Sequence, residues 1–449
     1  MNHLLMDEIS STSLGDSRLN ERFATILNSF MASPNSSIPK SCNSKTKTKA
    51  TYRFFDNNRV SAKKIKEGFF DATAKRVKKE SEVLIISDAT NLVYSSHKSL
   101  KGAGVLRNFQ ARGFALHTTL VVTPSGEPLG SFYQAFWGRD PKQYGKRKLR
   151  KNLPIEEKES FRWLESIESA QAKVNQKTKA IVIADRGADI YEIFAQKREP
   201  NFELLIRACH NRKIDGTDKL LFEQLDEANI LGYVDVEVGR APNRLPRTAK
   251  LELRAMATSI GRRDKDLKFN INVVLAKEVA TPEDGSAKIV WRLLTTLPVN
   301  TIEEAFGCVK KYSKRWLIER YHYVLKSGCQ VEELQLEEAD RIERAVAMYC
   351  IIAYKLMCIT YLARINPNAP ATDAFQKDEI SALYCFSHKT KKLPSEPITI
   401  FEAVHLVAKL GGFLGRKGDG SPGVKVIWLG LKSLADITAS FCLWGKRCG

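Results

Sequence analysis

Two apolar runs in this chain end in an aspartate: residues 83–88 read VLIISD and residues 180–185 read AIVIAD. A third acid, Glu319, stands in the stretch 312–326, YSKRWLIERYHYVLK. Three carboxylates offer hard oxygen ligands that suit Mg²⁺ or Mn²⁺, ions that keep waters and bind phosphate oxygens. Two such ions about 3.5–4 Å apart can activate a nucleophile and stabilise the leaving oxygen of an in-line phosphoryl transfer. Crowded carboxylates without a cation repel one another, so the metal serves stability as well as chemistry. Each acid also has an ordinary reading. An aspartate after a strand often caps the next helix, and Glu319, four residues after Arg315, is half of an exposed ion pair.

The positioning elements follow from local pattern. The stretch 312–326 contains helix formers and neither Gly nor Pro, which predicts one continuous helix. At about 100° per residue, Tyr312, Arg315, Glu319 and Lys326 share one face, leaving Trp316, Ile318 and Leu325 for packing. Upstream, residues 1 to about 70 read as small basic helices, including an amphipathic one over 17–30 and a second over 50–55. Continuous apolar runs at 83–88 and 180–185 predict buried central strands, with further strands at 115–122, 129–136 and 202–207. Residues 230–300 alternate as an antiparallel β segment inserted between the strand ending at Arg207 and the helix bearing Glu319. A long helix over 341–362, a Pro-bearing linker at 366–370 and a mostly helical C-terminal region complete the chain.

Composition bounds the partner. The 449 residues hold 71 Lys+Arg against 51 Asp+Glu, a net charge of +20 that favours a polyanion, nucleic acid before membrane. Basic stretches at 45–49, 98–112, 142–151 and 240–268 are the candidate DNA-facing surfaces, with solvated surface as the competing reading for any single side chain. The 9 cysteines are scattered without a CxxC pair, as in a reduced cytoplasmic protein without zinc fingers. No run of apolar residues reads as a membrane span, and the first ten residues do not read as a signal peptide.

The spacing of Tyr312, Arg315, Glu319 and Lys326 resembles the tyrosine–arginine–glutamate–lysine signature of bacterial insertion-sequence DDE transposases that cut and paste through DNA hairpins. SDAT around Asp88, ADRGADIY around Asp185, IVWRLLTT around Trp291 and LGGFLGRK at 410–417 are similar to that family as well. The resemblance implies an α/β fold: a ribonuclease H-like core with an inserted antiparallel β domain, flanked by helical N-terminal and C-terminal domains. The expected divisions are a DNA-binding domain over 1–70, a catalytic domain over 71–365 with its β insertion at about 208–305, and a dimerisation region over 366–449. It makes Asp88, Asp185 and Glu319 the catalytic acids, holding two Mg²⁺ or Mn²⁺ ions. It makes Tyr312, Arg315 and Lys326 a clamp on phosphates near a flipped base, and Trp291 the platform under that base. Arg186 and Arg207 are left as further DNA contacts that the motif does not require, and His322 and Tyr323 as packing or rim residues.

The implied reaction is a nick at the transposon end, attack of the freed 3′-hydroxyl on the opposite strand to form a hairpin, hairpin opening, and joining to target DNA. Double-stranded DNA and a second copy of the chain are the expected partners, and the cytoplasm the expected location. A nuclease or resolvase on the same core and a catalytically silent DNA-binding inhibitor are the competing functions.

Overall fold

The computed structural model describes residues 3–106, 111–141, 153–214, 218–239, 246–262, 267–416 and 418–445. The basic run at 142–151 lies outside these residues, as do parts of those at 98–112 and 240–268.

Five helices lead the chain: α1 (His3–Ile9), α2 (Ser17–Ala32), α3 (Ile38–Cys42), α4 (Lys45–Asp56) and α5 (Ala62–Val77). Asp16, Ser44 and Ser61 cap α2, α4 and α5, each side chain accepting a first-turn backbone N–H. The cap at Ser61 carries α5 through the boundary expected at residue 70. These helices also share the body's core. Glu8, fully buried, accepts from both terminal guanidinium nitrogens of Arg76 at 2.9 and 2.8 Å and pairs with Lys355 at 2.7 Å. Removing that carboxylate would leave two half-buried cations without their counter-charge, a loss of about 3 kcal/mol.

The sheet begins with β1 (Glu82–Val93), β2 (Gly104–Val105), β3 (Arg112–Val122), β4 (Pro128–Gly130) and β5 (Gln134–Trp137). Helix α6 (Phe161–Gln171), β6 (Lys179–Ala184), α7 (Tyr191–Ala195), β7 (Phe202–Arg207) and α8 (Leu221–Glu227) follow. Then come β8 (Ile230–Val238), β9 (Arg247–Arg262), β10 (Leu267–Glu278) and β11 (Val290–Thr295). The strand order is β2-β3-β1-β6-β7-β11-β10-β9-β8, with β4 and β5 both pairing β3. Strand β1 runs antiparallel to β3 and parallel to β6, and β6 parallel to β7. The inserted segment is therefore not set apart as a separate β layer. Strand β11 returns to pair with β7 (Leu293↔Arg207, Leu294↔Ile206, Thr295↔Leu205), so β8–β11 extend the central sheet.

Period-two alternation explains why the central strands are apolar throughout. Leu84, Ile86, Ile181, Ile183 and Leu205 enter the core beneath the N-terminal and C-terminal helices. Val83, Ile85, Val182, Leu204 and Ile206 enter a second core with Trp163, Leu164 and Ile167 of α6.

The helical tail comprises α9 (Ile302–Ser313), α10 (Trp316–Tyr323), α11 (Ala339–Ile365), α12 (Lys377–His388), α13 (Ile400–Leu410) and α14 (Val424–Gly445). Both α11 and α14 are apolar and long enough, by length and composition alone, to cross a membrane, a test that the core helix of a globular protein also passes. The apolar window of α11 is 78% buried and forms the central core helix. That of α14 is only 22% buried, so much of its apolar surface is uncovered in one copy.

The single helix expected over 312–326 is replaced by three pieces. The ladder tightens at the junction of α9 and α10, where Lys314, Arg315, Leu317 and Ile318 donate to the third residue back. After Tyr323 it widens: Val324–Gly328 form a π-turn, and the Cys329 N–H donates to the Val324 carbonyl at 2.8 Å.

Candidate functional site

Strand parity and register bring the site together. Asp88 has the parity of Leu84 and Ile86, and Asp185 that of Ile181 and Ile183, so both acids fall on the sheet face that α9 and α10 cover. The β1–β6 register ends at Ser87↔Ala184, which sets Asp88 beside Asp185 one step on. The β6–β7 register ends at Ala184↔Ile206, which sets Asp185 beside Arg207. Two acids and a guanidinium thus form a row across three neighbouring strands spaced about 4.8 Å apart. Trp291 of β11 shares the parity of Leu293, the partner of Arg207, and completes the row on the same face.

Asp88 is not at a strand end as expected, since β1 continues to Val93. What ends there is its partner: β6 stops at Ala184, and Asp185 turns to cap the short turn Arg186–Ala188, accepting from the Gly187 N–H at 2.8 Å. Beyond Asp88 that edge of β1 is free of β6.

The third acid arrives on α10. Arg315 bridges Asp88, at 3.3 Å, and Glu319, with which it makes a close pair. Burial, with the charge of Asp185 next, pushes the Asp88 carboxyl up to about 6, against the opposing pull of its bond from the Ala89 N–H and of Arg315. Among the described residues no three carboxylate, imidazole or thiol groups converge tightly enough to hold a metal ion, and here the guanidinium of Arg315 stands where two carboxylates meet. The donor set nevertheless fits a hard divalent cation. It is all oxygen, and the Asp88 carboxylate, disfavoured first by burial and then by the charge of Asp185, is one that added positive charge would stabilise.

The four residues expected to share one exposed face are dispersed. Tyr312 is buried, 3% exposed, and meets Trp291 edge to face at 5.1 Å and 71°. Burial pushes its phenol pKa up, opposed by the nearby charges of Arg315 and Arg207. Lys326, in the π-turn, donates to the Asn91 carbonyl at 2.9 Å and pairs with Glu332 at 3.3 Å; Glu332 in turn accepts from the Val93 N–H at 2.7 Å. Lys326 is therefore anchored to the part of β1 beyond Asp88. Trp316, expected to pack, is 43% exposed, whereas Ile318 and Leu325 are fully buried as expected.

Two histidines behind the acids were not recognised in the sequence as parts of the site. His117 meets the hydroxyl of Ser87 at 2.7 Å, and His322 that of Thr118, which faces Asp88 across the β1–β3 ladder, at 2.7 Å. Burial pushes both imidazoles down to about 3, so they are neutral. His322 thus ties α10 to β3, three residues from Glu319. Arg207, left in the sequence as a DNA contact that the motif does not require, falls in the row beside Asp185.

A second charged feature lies on the N-terminal helices. A groove of about 680 Å³ between α2 and α4 is lined by Arg18, Arg22, Lys45, Lys49, Arg53 and Arg59 around one acid, Asp16.

Three family models match the chain in sequence order. Residues 1–60 match transposase DNA-binding, residues 157–355 the transposase DDE domain, and residues 351–442 the transposase Tn5 dimerisation domain. The first match contains the cationic groove, the second contains Asp185, Arg207, Trp291 and the stretch with Glu319, and the third contains the partly uncovered α14. Carrying a DNA-binding region, a DDE domain and a dimerisation domain in that order, the chain belongs to the insertion-sequence DDE transposases, DNA-cleaving enzymes whose partners are DNA and a second copy of themselves.

Proposed function

We propose that this transposase cleaves its element ends at Asp88, Asp185 and Glu319 and joins the freed 3′ ends to target DNA, by way of a hairpin. The observation that carries the reading is the row Asp88, Asp185, Arg207 on one sheet face, with Glu319 delivered to the same face by α10. The partial strand order β5-β3-β1-β6-β7, with β1 antiparallel to β3 and parallel to β6, supports a ribonuclease H-like core.

Asp88, Asp185 and Glu319 would hold divalent ions, Mg²⁺ or Mn²⁺ and two of them, which supply charge stabilisation for a phosphoryl transfer and a more acidic bound water. The chain's own residues position the DNA. Arg315 and Arg207 face the acid row with fork geometry suited to phosphate oxygens, and Lys326 supplies a point charge at the far end of the site. The Trp291 ring, backed by Tyr312, offers a stacking face for an extruded base, worth roughly 1–3 kcal/mol against the few kcal/mol that extrusion costs. Extrusion is required because both strands of a regular duplex cannot reach one row of acids in succession. The cationic groove of the N-terminal helices would hold the same end by its phosphates, in the cytoplasm where chromosomal DNA lies.

The test uses a labelled duplex of the element's own end with Mg²⁺, comparing wild type with Glu319→Gln. The expected products are a nick and then a hairpin from wild type, and bound but uncut DNA from the variant. Nicks without hairpins would leave a nuclease; cutting by the variant would remove Glu319 from the reaction.

A further inference from the structure

The π-turn that carries Lys326 is not held by the catalytic core alone. Gly328, its last residue, is buried, and a Cβ built there would lie 2.8 Å from Cε3 and 3.0 Å from Cζ3 of Trp428. Trp428 belongs to α14, in the region matched by the dimerisation domain, and is itself 3% exposed. The same indole meets the ring of Tyr323, the last residue of α10, at 5.7 Å. The indole therefore lies against both ends of the π-turn. Lys326 sits between those two contacts, with its ammonium on the Asn91 carbonyl and Glu332.

We propose that Trp428 is a positioning residue for Lys326. By filling the notch at Gly328 it fixes the π-turn, so that the placement of the lysine at the catalytic face depends on how the C-terminal helix is seated. A π-turn opens the backbone ladder by one residue and so shifts every following side chain around the axis. A rigid aromatic against a residue without a Cβ is a means of holding that wide turn rather than letting it relax to α. Because α14 also presents uncovered apolar surface, pairing of two copies and placement of Lys326 act on one element. The inference rests on the reading of Lys326 as a phosphate contact.

Single-turnover cleavage of the element-end duplex by the full-length protein tests it, with thermal midpoints and DNA affinities measured alongside. Gly328 has no positive φ among the backbone exceptions, and Ala is the better helix former, so propensity alone would make Gly328→Ala neutral or stabilising. Gly328→Ala is expected instead to slow cleavage roughly 10- to 100-fold while DNA affinity holds, as a misplaced positioning group does. Trp428→Leu removes the atoms that the new methyl would strike, so Gly328→Ala/Trp428→Leu should be no slower than Trp428→Leu alone. In a Lys326→Ala background, Gly328→Ala should cost nothing further.

Wild-type cleavage by Gly328→Ala, or effects of Gly328→Ala and Lys326→Ala that multiply, would overturn the proposal while leaving Lys326 in the site. Wild-type cleavage by Lys326→Ala would overturn the site reading itself, and the proposal with it.

Discussion

Two regions of this chain gather charge by opposite means. The groove on the N-terminal helices sets six cations around Asp16, on side chains that stand in water; Arg18 is 87% exposed and Arg59 68%. The acid face sets Asp88 and Glu319 on Arg315 with Asp185 beside Asp88, the Asp88 side chain 18% exposed and that of Glu319 57%. Exposed like charges are screened by solvent and salt, so the groove tolerates its repulsion and waits for a polyanion. Partly buried like charges are screened less, so Asp88 takes a counter-charge from its own chain in Arg315. One region is open to a polyanion; the other holds a disfavoured charge that a proton or a cation relieves.

The largest effect should come from turning the groove against its ligand. Lys49→Glu with Arg53→Glu is expected to weaken binding of the element end roughly 100-fold at about 0.15 M salt, with cleavage at saturating protein unchanged. A gel-shift titration decides it, and unchanged affinity would break the comparison. Next comes the strain at the acids. A carboxyl moved from 3.8 to about 6 disfavours the ionised folded state by about 3 kcal/mol at neutral pH. Its folded pKa lies above the unfolded one, so the stability it contributes is fully present below pH 3.8 and is lost as pH rises through about 6. Asp88→Asn should therefore melt higher than wild type at pH 7–8 and lose that advantage near pH 4, and Mg²⁺ should narrow the gap at neutral pH. Calorimetry across pH reads this, and a gap that does not depend on pH would sink it. Smallest is the single-cation effect. Lys49→Ala should shallow the plot of log affinity against log salt by about 0.9, while Asp185→Asn leaves that slope unchanged.

Much of this was legible before the fold was known, and the reason differs by element. Asp88 and Asp185 stood out because an apolar run stopped by an acid is rare inside a core, and parity then places both on one face. Caps at Ser44 and Ser61 were open to recognition for the same local reason. Features that depend on a neighbour were not legible. Helix periodicity over 312–326 cannot distinguish hydrogen bonds to the third, fourth or fifth residue back, so the break at Arg315 and the π-turn at Lys326 were read as one helix. The burial of Tyr312 depends on where β11 lies, and β11 joins the sheet through residues more than eighty positions from its partner in β7. His117 and His322 looked ordinary because their partners, Ser87 and Thr118, are on other strands.

The three-residue pairing of β11 with β7 also defines where this protein tolerates editing. Side chains alternate along a strand, so deleting one residue between Val290 and Leu293 would turn Trp291 to the opposite face from Tyr312. Strand β10 carries the same constraint, since its Ala276 pairs with Trp291. The exposed turn of Asp284 and Gly285, which joins β10 to β11 near Trp291, lies outside both registers, so its length can change without rotating the ring away from Tyr312.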